Sequence, residues 1–174
     1  VGSEMCIRDR TKAVVQMTLT TYDEYLCRKL EPNVSTTRER FEVLMRCKEL
    51  GIPTLVWMTP ILPFINDTRE NIEGLLDYCL QAGVQGILVF DVGVTLREGD
   101  REYFYQALDR DFPGIRQKYV STYGNAYDIP SPYAKELMTL IQNTCTANGI
   151  LCSPKECFTY LHEFPERYVQ QTLF

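Results

Sequence analysis

The stretch 53–67, Pro-Thr-Leu-Val-Trp-Met-Thr-Pro-Ile-Leu-Pro-Phe-Ile-Asn-Asp, constrains the chain more than any other. An apolar, strand-like run breaks into a loop punctuated by Pro60 and Pro63, and the loop ends on Asn66-Asp67-Thr68, a helix N-cap signal. Strands that deliver shaped loops at their carboxyl ends are where α/β proteins place ligands.

The flanks repeat this unit. The run 13–20 has strand character, Asp23 can cap a short helix through Leu30, and Pro32 ends it. Ser35-Thr36-Thr37 opens an amphipathic helix carrying Phe41, Leu44 and Met45, which Gly51 stops. A strand over 54–59 follows, and then the spacing of Ile72, Leu75, Leu76, Cys79 and Leu80 predicts a helix over 69–82 with Gly83 as its stop. The run 86–91 is continuously apolar up to Asp91, the pattern of a strand buried on both faces. The order β-(short helix)-α-β-α-β reads as parallel βαβ units with right-handed crossovers, an α/β class.

Beyond Asp91 the rhythm changes. Helices are expected over 101–111, 115–123 and 134–148, with a last one opened by Ser153-Pro154, and loops over 93–100 and 124–132. No further strand is expected, so the C-terminal part reads as an all-helical extension. The first ten residues fit neither periodicity and resemble translated sequencing adaptor; 1–10 is set apart as non-native, and a native N-terminal portion is expected to be missing. The edge of the first strand would then be unpaired, which predicts poor solubility for this chain alone.

The formal net charge of −5 gives no general attraction to nucleic acid or anionic membrane, and no apolar run is long enough for a spanning helix. Seven cysteines without small-scaffold spacing read as reduced cytosolic thiols, several of them (Cys47, Cys79, Cys145) on apolar helix faces. Cys145, Cys152 and Cys157 come nearest to a cluster set, but no Cys-x2-Cys turn forms among them and packing thiols are the simpler reading. His162, the one histidine, has no nucleophile beside it in sequence and reads as structural or surface. The aromatic stretch 119–133 could line a substrate mouth or pack the C-terminal extension on the sheet, packing being favoured. A phosphate-binding barrel or an aldolase would need a Gly-rich phosphate loop or a strand-end Lys, and neither is present.

Thr18-Leu-Thr-Thr-Tyr-Asp23, Arg28-Lys-Leu-Glu-Pro32, Thr37-Arg-Glu-Arg-Phe41, Gly51-Ile-Pro53 and Thr59-Pro-Ile-Leu-Pro-Phe-Ile-Asn-Asp67 resemble, in order and spacing, the C-terminal half of radical S-adenosylmethionine (radical SAM) proteins of the spore photoproduct lyase-like branch. Val94-Thr-Leu-Arg-Glu-Gly99, Thr122-Tyr-Gly-Asn-Ala126 and Tyr160-Leu-His-Glu-Phe-Pro165 extend the resemblance to residues 11–165. It implies a C-terminal half of a partial (β/α)6 TIM-like barrel over 11–95, whose strands would be the fourth to sixth, followed by a helical extension over 96–174. The family's Cys-x3-Cys-x2-Cys loop holds a [4Fe-4S] cluster that cleaves SAM reductively to a 5′-deoxyadenosyl radical, which abstracts hydrogen from a substrate. No such spacing occurs in this chain, so the cluster ligands are expected upstream and the chain alone is expected to be inactive.

The resemblance also implies a SAM site. Thr18 with Thr20 or Thr21 would hold the ribose, Arg40 the methionyl carboxylate, and Thr59, Pro60 and Ile61 the adenine. Asp91 would either reach ligand or cap the next turn, the cap being favoured, and Glu31-Pro32 could be no more than a helix stop. SAM and an unknown substrate are the implied partners, in the cytoplasm; nucleic acid enters only by family analogy. The alternative is a non-catalytic α/β binding or structural module.

Overall fold

The computed structural model describes residues 13–163. The segment 1–10 and the tail beyond Glu163 lie outside the described residues.

Strand β1 (Val15–Thr18) leads into α1 (Glu24–Leu30) and α2 (Thr37–Glu49), then β2 (Thr54–Trp57), α3 (Arg69–Ala82) and β3 (Gly86–Leu88). The start of each helix is chemically specified. The Asp23 carboxylate accepts from the Leu26 amide of α1. Thr36 and Glu39 form a reciprocal capping box on α2, and Thr68 accepts from the Asn71 amide of α3. Such caps each contribute about 1 kcal/mol. At the far end of α3, Gly83 takes the left-handed conformation (φ 63°) and lets the chain turn into β3.

The three strands form a parallel sheet in the order β1-β2-β3. With right-handed crossovers, α2 and α3 fall on the same face. That face carries the main core. Val56 and Ile87 from the strands meet Phe41 and Leu44 of α2 and Ile72, Leu75 and Cys79 of α3, all buried. Phe41 stacks on Tyr78 with ring centroids 4.2 Å apart. Strand alternation sends Leu55 and Leu88 to the opposite face. The mixed α/β class is thus observed, as an open sheet. Among the described residues no barrel closes, and no helix is long and apolar enough to cross a membrane.

The all-helical reading of the C-terminal part is corrected. After β3 the chain makes an excursion: β4 (Gly93–Thr95), α4 (Asp100–Asp111), α5 (Ile115–Tyr123) and β5 (Asp128–Pro130), with β4 and β5 paired antiparallel. These strands fall where loops over 93–100 and 124–132 were expected. Three-residue strands carry too few side chains to show a period. The excursion has its own core of Leu96, Tyr105, Leu108, Tyr119 and Ile129. Tyr119 is fully buried, so the packing role expected of the aromatic stretch holds at that residue.

The chain then rejoins the sheet. Helix α6 (Ala134–Asn148) packs Leu137, Ile141 and Cys145 into the same core as α2 and α3. Leu151 next makes a parallel bridge to Gly86, on the far side of β3 from β2. Helix α7 (Pro154–His162) covers part of the opposite face, with Cys157 against Leu55 and Leu88. The division expected at 95/96 therefore cuts across the packing: 134–163 belongs with the sheet, and the separate body is the excursion.

Gly86 makes this closure possible. A Cβ there would stand 2.8 Å from Leu55 Cδ2, 3.0 Å from Cys157 Sγ and 3.1 Å from Leu151 Cβ. Gly86→Ala is expected to destabilise the chain by about 1–3 kcal/mol through overpacking. Urea unfolding of the two proteins measures it, and an unchanged midpoint would contradict the packing of α7 and Leu151 on β3.

Candidate functional site

At the carboxyl ends of β1 and β2 lies a cavity of about 470 Å³, within the roughly 300–1,000 Å³ range of small-molecule sites. One wall is the strand ends and the α1 terminus, with Thr18, Thr20, Glu31 and Pro60. The other is the excursion, with Val94, Phe104, Leu108 and Phe112. The lining is mainly apolar, and Thr18, Thr20, Glu31 and Asn66 form a polar group on the strand side.

The polar group is ordered around Glu31. Its Oε1 accepts from Thr20 Oγ1 at 3.1 Å and its Oε2 from Arg40 Nη2 at 2.5 Å. Arg40 Nη1 also donates to the Thr18 carbonyl at 3.0 Å. The Arg40 side chain is only 12% exposed against 29% for Glu31. The guanidinium is thus committed behind the carboxylate and does not line the cavity; the carboxylate is what faces it. Sequence inspection treated Glu31 as a helix stop, because a residue before proline is equally consistent with termination.

Beneath the rim, two asparagines tie the exit of β1 to the β2–α3 loop. Asn66 Nδ2 donates to the Thr20 carbonyl and to Thr21 Oγ1, both at 3.0 Å, and its Oδ1 accepts from the Leu62 amide at 2.6 Å. Asn71 Nδ2 donates to the carbonyls of Thr20 (2.9 Å) and Asn66 (2.8 Å), and its Oδ1 accepts from the Tyr22 amide at 2.6 Å. Both asparagines are buried. Sequence reading saw Asn66 as part of a cap signal and gave Asn71 no role; only the fold brings loops this far apart in sequence together.

The site residues anticipated from sequence divide accordingly. Thr18, Thr20 and Pro60 line the first cavity. Thr59, Pro60 and Asp91 line a second, of about 630 Å³, between the strand ends and the β4–β5 ribbon. Pro60, which follows the cis peptide bond Thr59–Pro60, is thus common to both cavities. Asp91 Oδ1 accepts from the amide of the adjacent Val92 at 2.7 Å. Thr21 and Ile61 are fully buried and line neither cavity. His162 Nδ1 lies 2.7 Å from the Phe158 carbonyl in the last turn of its own helix.

A buried carboxyl joins the excursion to this loop. Asp67 is 3% exposed, and Ser131 Oγ donates to its Oδ2 at 2.5 Å. Burial pushes the Asp67 carboxyl up, against the downward pull of Ser131, backbone amides and the Lys118 charge. No group of three His, Cys, Asp or Glu side chains capable of holding a metal ion occurs among the described residues. The cysteines described are free, and burial pushes the Cys79 thiol up to about 12 and the Cys157 thiol up to about 11.

Two outcomes follow. Asn71→Ala removes three hydrogen bonds, two of them buried, and is expected to cost roughly 3 kcal/mol in denaturant unfolding; a loss near zero would contradict the tie. Because the native pKa of Asp67 is raised above its ordinary 3.8, its contribution is fully present below that value and is lost as pH rises through the native pKa. Relative to Asp67→Asn, the wild type should lose stability across that window. Parallel melting curves against pH would contradict the burial argument.

No family model matches the chain. Over 123 residues, 71% of this chain, it is 28% identical to Uncharacterized protein Rv2578c of Mycobacterium tuberculosis (strain ATCC 25618 / H37Rv). The same figures hold for Uncharacterized protein Mb2609c of Mycobacterium bovis. The match covers 36% of each of these proteins, so the chain spans about a third of the length of the curated relatives it matches.

Proposed function

We propose that this chain is the SAM-binding C-terminal portion of a radical SAM enzyme acting in the cytoplasm, with its sheet the later half of a partial (β/α)6 barrel. The observation that carries the reading is the cavity at the carboxyl ends of β1 and β2, where Thr18, Thr20 and Pro60 of the family-like motifs share one lining. The consecutive parallel order β1-β2-β3, continued by Leu151 in the same direction, suits a singly wound barrel segment.

The fit to the two cofactors differs. The cavity offers SAM hydroxyl and carboxylate groups at Thr18, Thr20 and Glu31, and apolar walls for a ring. Arg40 is already paired with Glu31, so its part is to orient that carboxylate. The described residues do not fit a [4Fe-4S] cluster: the set of three thiolates it needs is not among them, and no step of cluster chemistry is assigned to this chain. The cluster ligands would come from the longer protein, as would the substrate site.

The longer reading frame containing these residues, purified anaerobically and reconstituted with iron and sulfide, is expected to bind SAM and release 5′-deoxyadenosine on reduction. Thr20→Val in that protein should weaken SAM binding about tenfold, the equivalent of one hydrogen bond of about 1.4 kcal/mol. SAM binding without a cluster would assign the non-catalytic module instead. Absence of both would overturn the proposal.

A further inference from the structure

We propose that Lys29 is the carboxylate-binding residue of the cavity at the carboxyl ends of β1 and β2, a specificity determinant for a ligand that carries an α-amino acid group. The inference rests on the SAM reading of that cavity and gives the methionyl carboxylate a receptor other than Arg40. Lys29 stands half-buried in the last turn of α1, and Glu31 caps the end of the same helix. Both line the cavity, with Arg110, Asp111 and Phe112 on the facing wall. One helix end therefore brings a cation and a carboxylate to one lining.

Every other charge of the lining has its own partner. Glu31 is paired with Arg40, which stands behind it. Arg110 donates to Asp111 from Nη2 at 2.7 Å and from Nε to both carboxylate oxygens at 3.1 Å. Arg110 first, and the more distant Lys29 charge after it, hold the Asp111 carboxyl below its ordinary range, against burial. Among the described residues no carboxylate lies within ion-pair distance of Lys29. Its ammonium instead stands 4.4 Å from the centroid of the Phe112 ring. An aromatic face attracts an ammonium through its quadrupole but offers no lone pair to the N–H donors. The ring holds the cation on the cavity wall and leaves those donors for a ligand.

Glu31 decides which anion suits Lys29. A phosphate dianion in this cavity would be repelled by the Glu31 carboxylate. An amino acid group places a single negative charge at Lys29 and brings donors of its own, which the spare acceptor positions of Glu31 can take. Arg40 is poorly placed for the same task, because its guanidinium already donates to Glu31 Oε2 and to the Thr18 carbonyl. The ligand class that satisfies both charges is a zwitterion, with its carboxylate at the α1 lysine.

The test measures dissociation constants by equilibrium dialysis on the longer, reconstituted protein. The probes are SAM, decarboxylated SAM and 5′-methylthioadenosine, which lacks the amino acid group altogether. Lys29→Gln is expected to weaken SAM about tenfold, the size of one charge-assisted hydrogen bond. It should leave methylthioadenosine unchanged, which also shows the variant to be folded, and should not weaken decarboxylated SAM. Lys29→Arg, which keeps the charge, is expected to bind SAM as the wild type does. SAM binding that Lys29→Gln leaves unchanged would overturn the proposal. So would equal weakening of all the probes, which would make Lys29 a packing residue on Phe112. A wild-type protein that binds none of them would overturn the SAM reading itself, and this assignment with it.

Discussion

The buried amide tie between β1 and the β2–α3 loop is the interaction on which the site depends. A parallel strand leaves its carboxyl end with backbone groups that no ladder partner satisfies, and burial makes each unsatisfied group costly. Asn66 and Asn71 supply the missing partners for Thr20, Tyr22 and Leu62 while bonding to each other. An asparagine amide offers donors and an acceptor on one short, rigid group, so two of them can cross-link two loops without admitting charge to the core. The cavity rim inherits its shape from that tie, since Thr20 and Pro60 stand on the two loops it joins.

On the strand side of the cavity the Glu31 charge is compensated. Glu31 is partly buried beside Arg40; the pair avoids the cost of an isolated buried carboxylate by a direct ion pair and a further hydrogen bond from Thr20. The Thr18 carbonyl takes a second guanidinium donor. Each Glu31 oxygen thus has one protein partner described and retains acceptor capacity toward the cavity. The polar side of the cavity is an oriented acceptor surface with a cation behind it, an arrangement suited to hydroxyl or ammonium donors more than to a carboxylate. Arg40 as a carboxylate receptor, the role implied by resemblance, would first have to release Glu31.

What the sequence made legible follows the length of each element. Helices α3, α5 and α6 were bounded to the residue, because 9 to 15 residues give periodicity and because Gly83, Gly124 and Gly149 mark their ends. The parallel strands were found but drawn too long, since 13–20 and 86–91 continue extended and apolar after pairing stops. The β4–β5 ribbon was missed because its strands have three residues each and pair across more than thirty positions. Of the first cavity's lining, Thr18, Thr20 and Pro60 stand in the stretches singled out by motif and strand phase, whereas Glu31, Asn66 and Asn71 acquire their partners only from positions distant in sequence.

The excursion and the sheet meet at the same loop that begins the site, and this couples them. Tyr119 Oη donates to the Pro63 carbonyl at 2.8 Å, Ser131 holds Asp67, and Lys118 stands 4.1 Å from the Phe64 ring centroid. All three contacts fall within 63–67, a few residues after Pro60, which lines both cavities. A fourth contact, Lys29 over Phe112 at 4.4 Å, joins the excursion to α1 beside Glu31. The wall carrying Phe104, Leu108 and Phe112 is therefore attached to both loops that carry the polar groups. Movement of that wall changes cavity width and the environment of Glu31 together, so the stretch 53–67 serves at once as strand, cavity rim and mooring for the opposite wall.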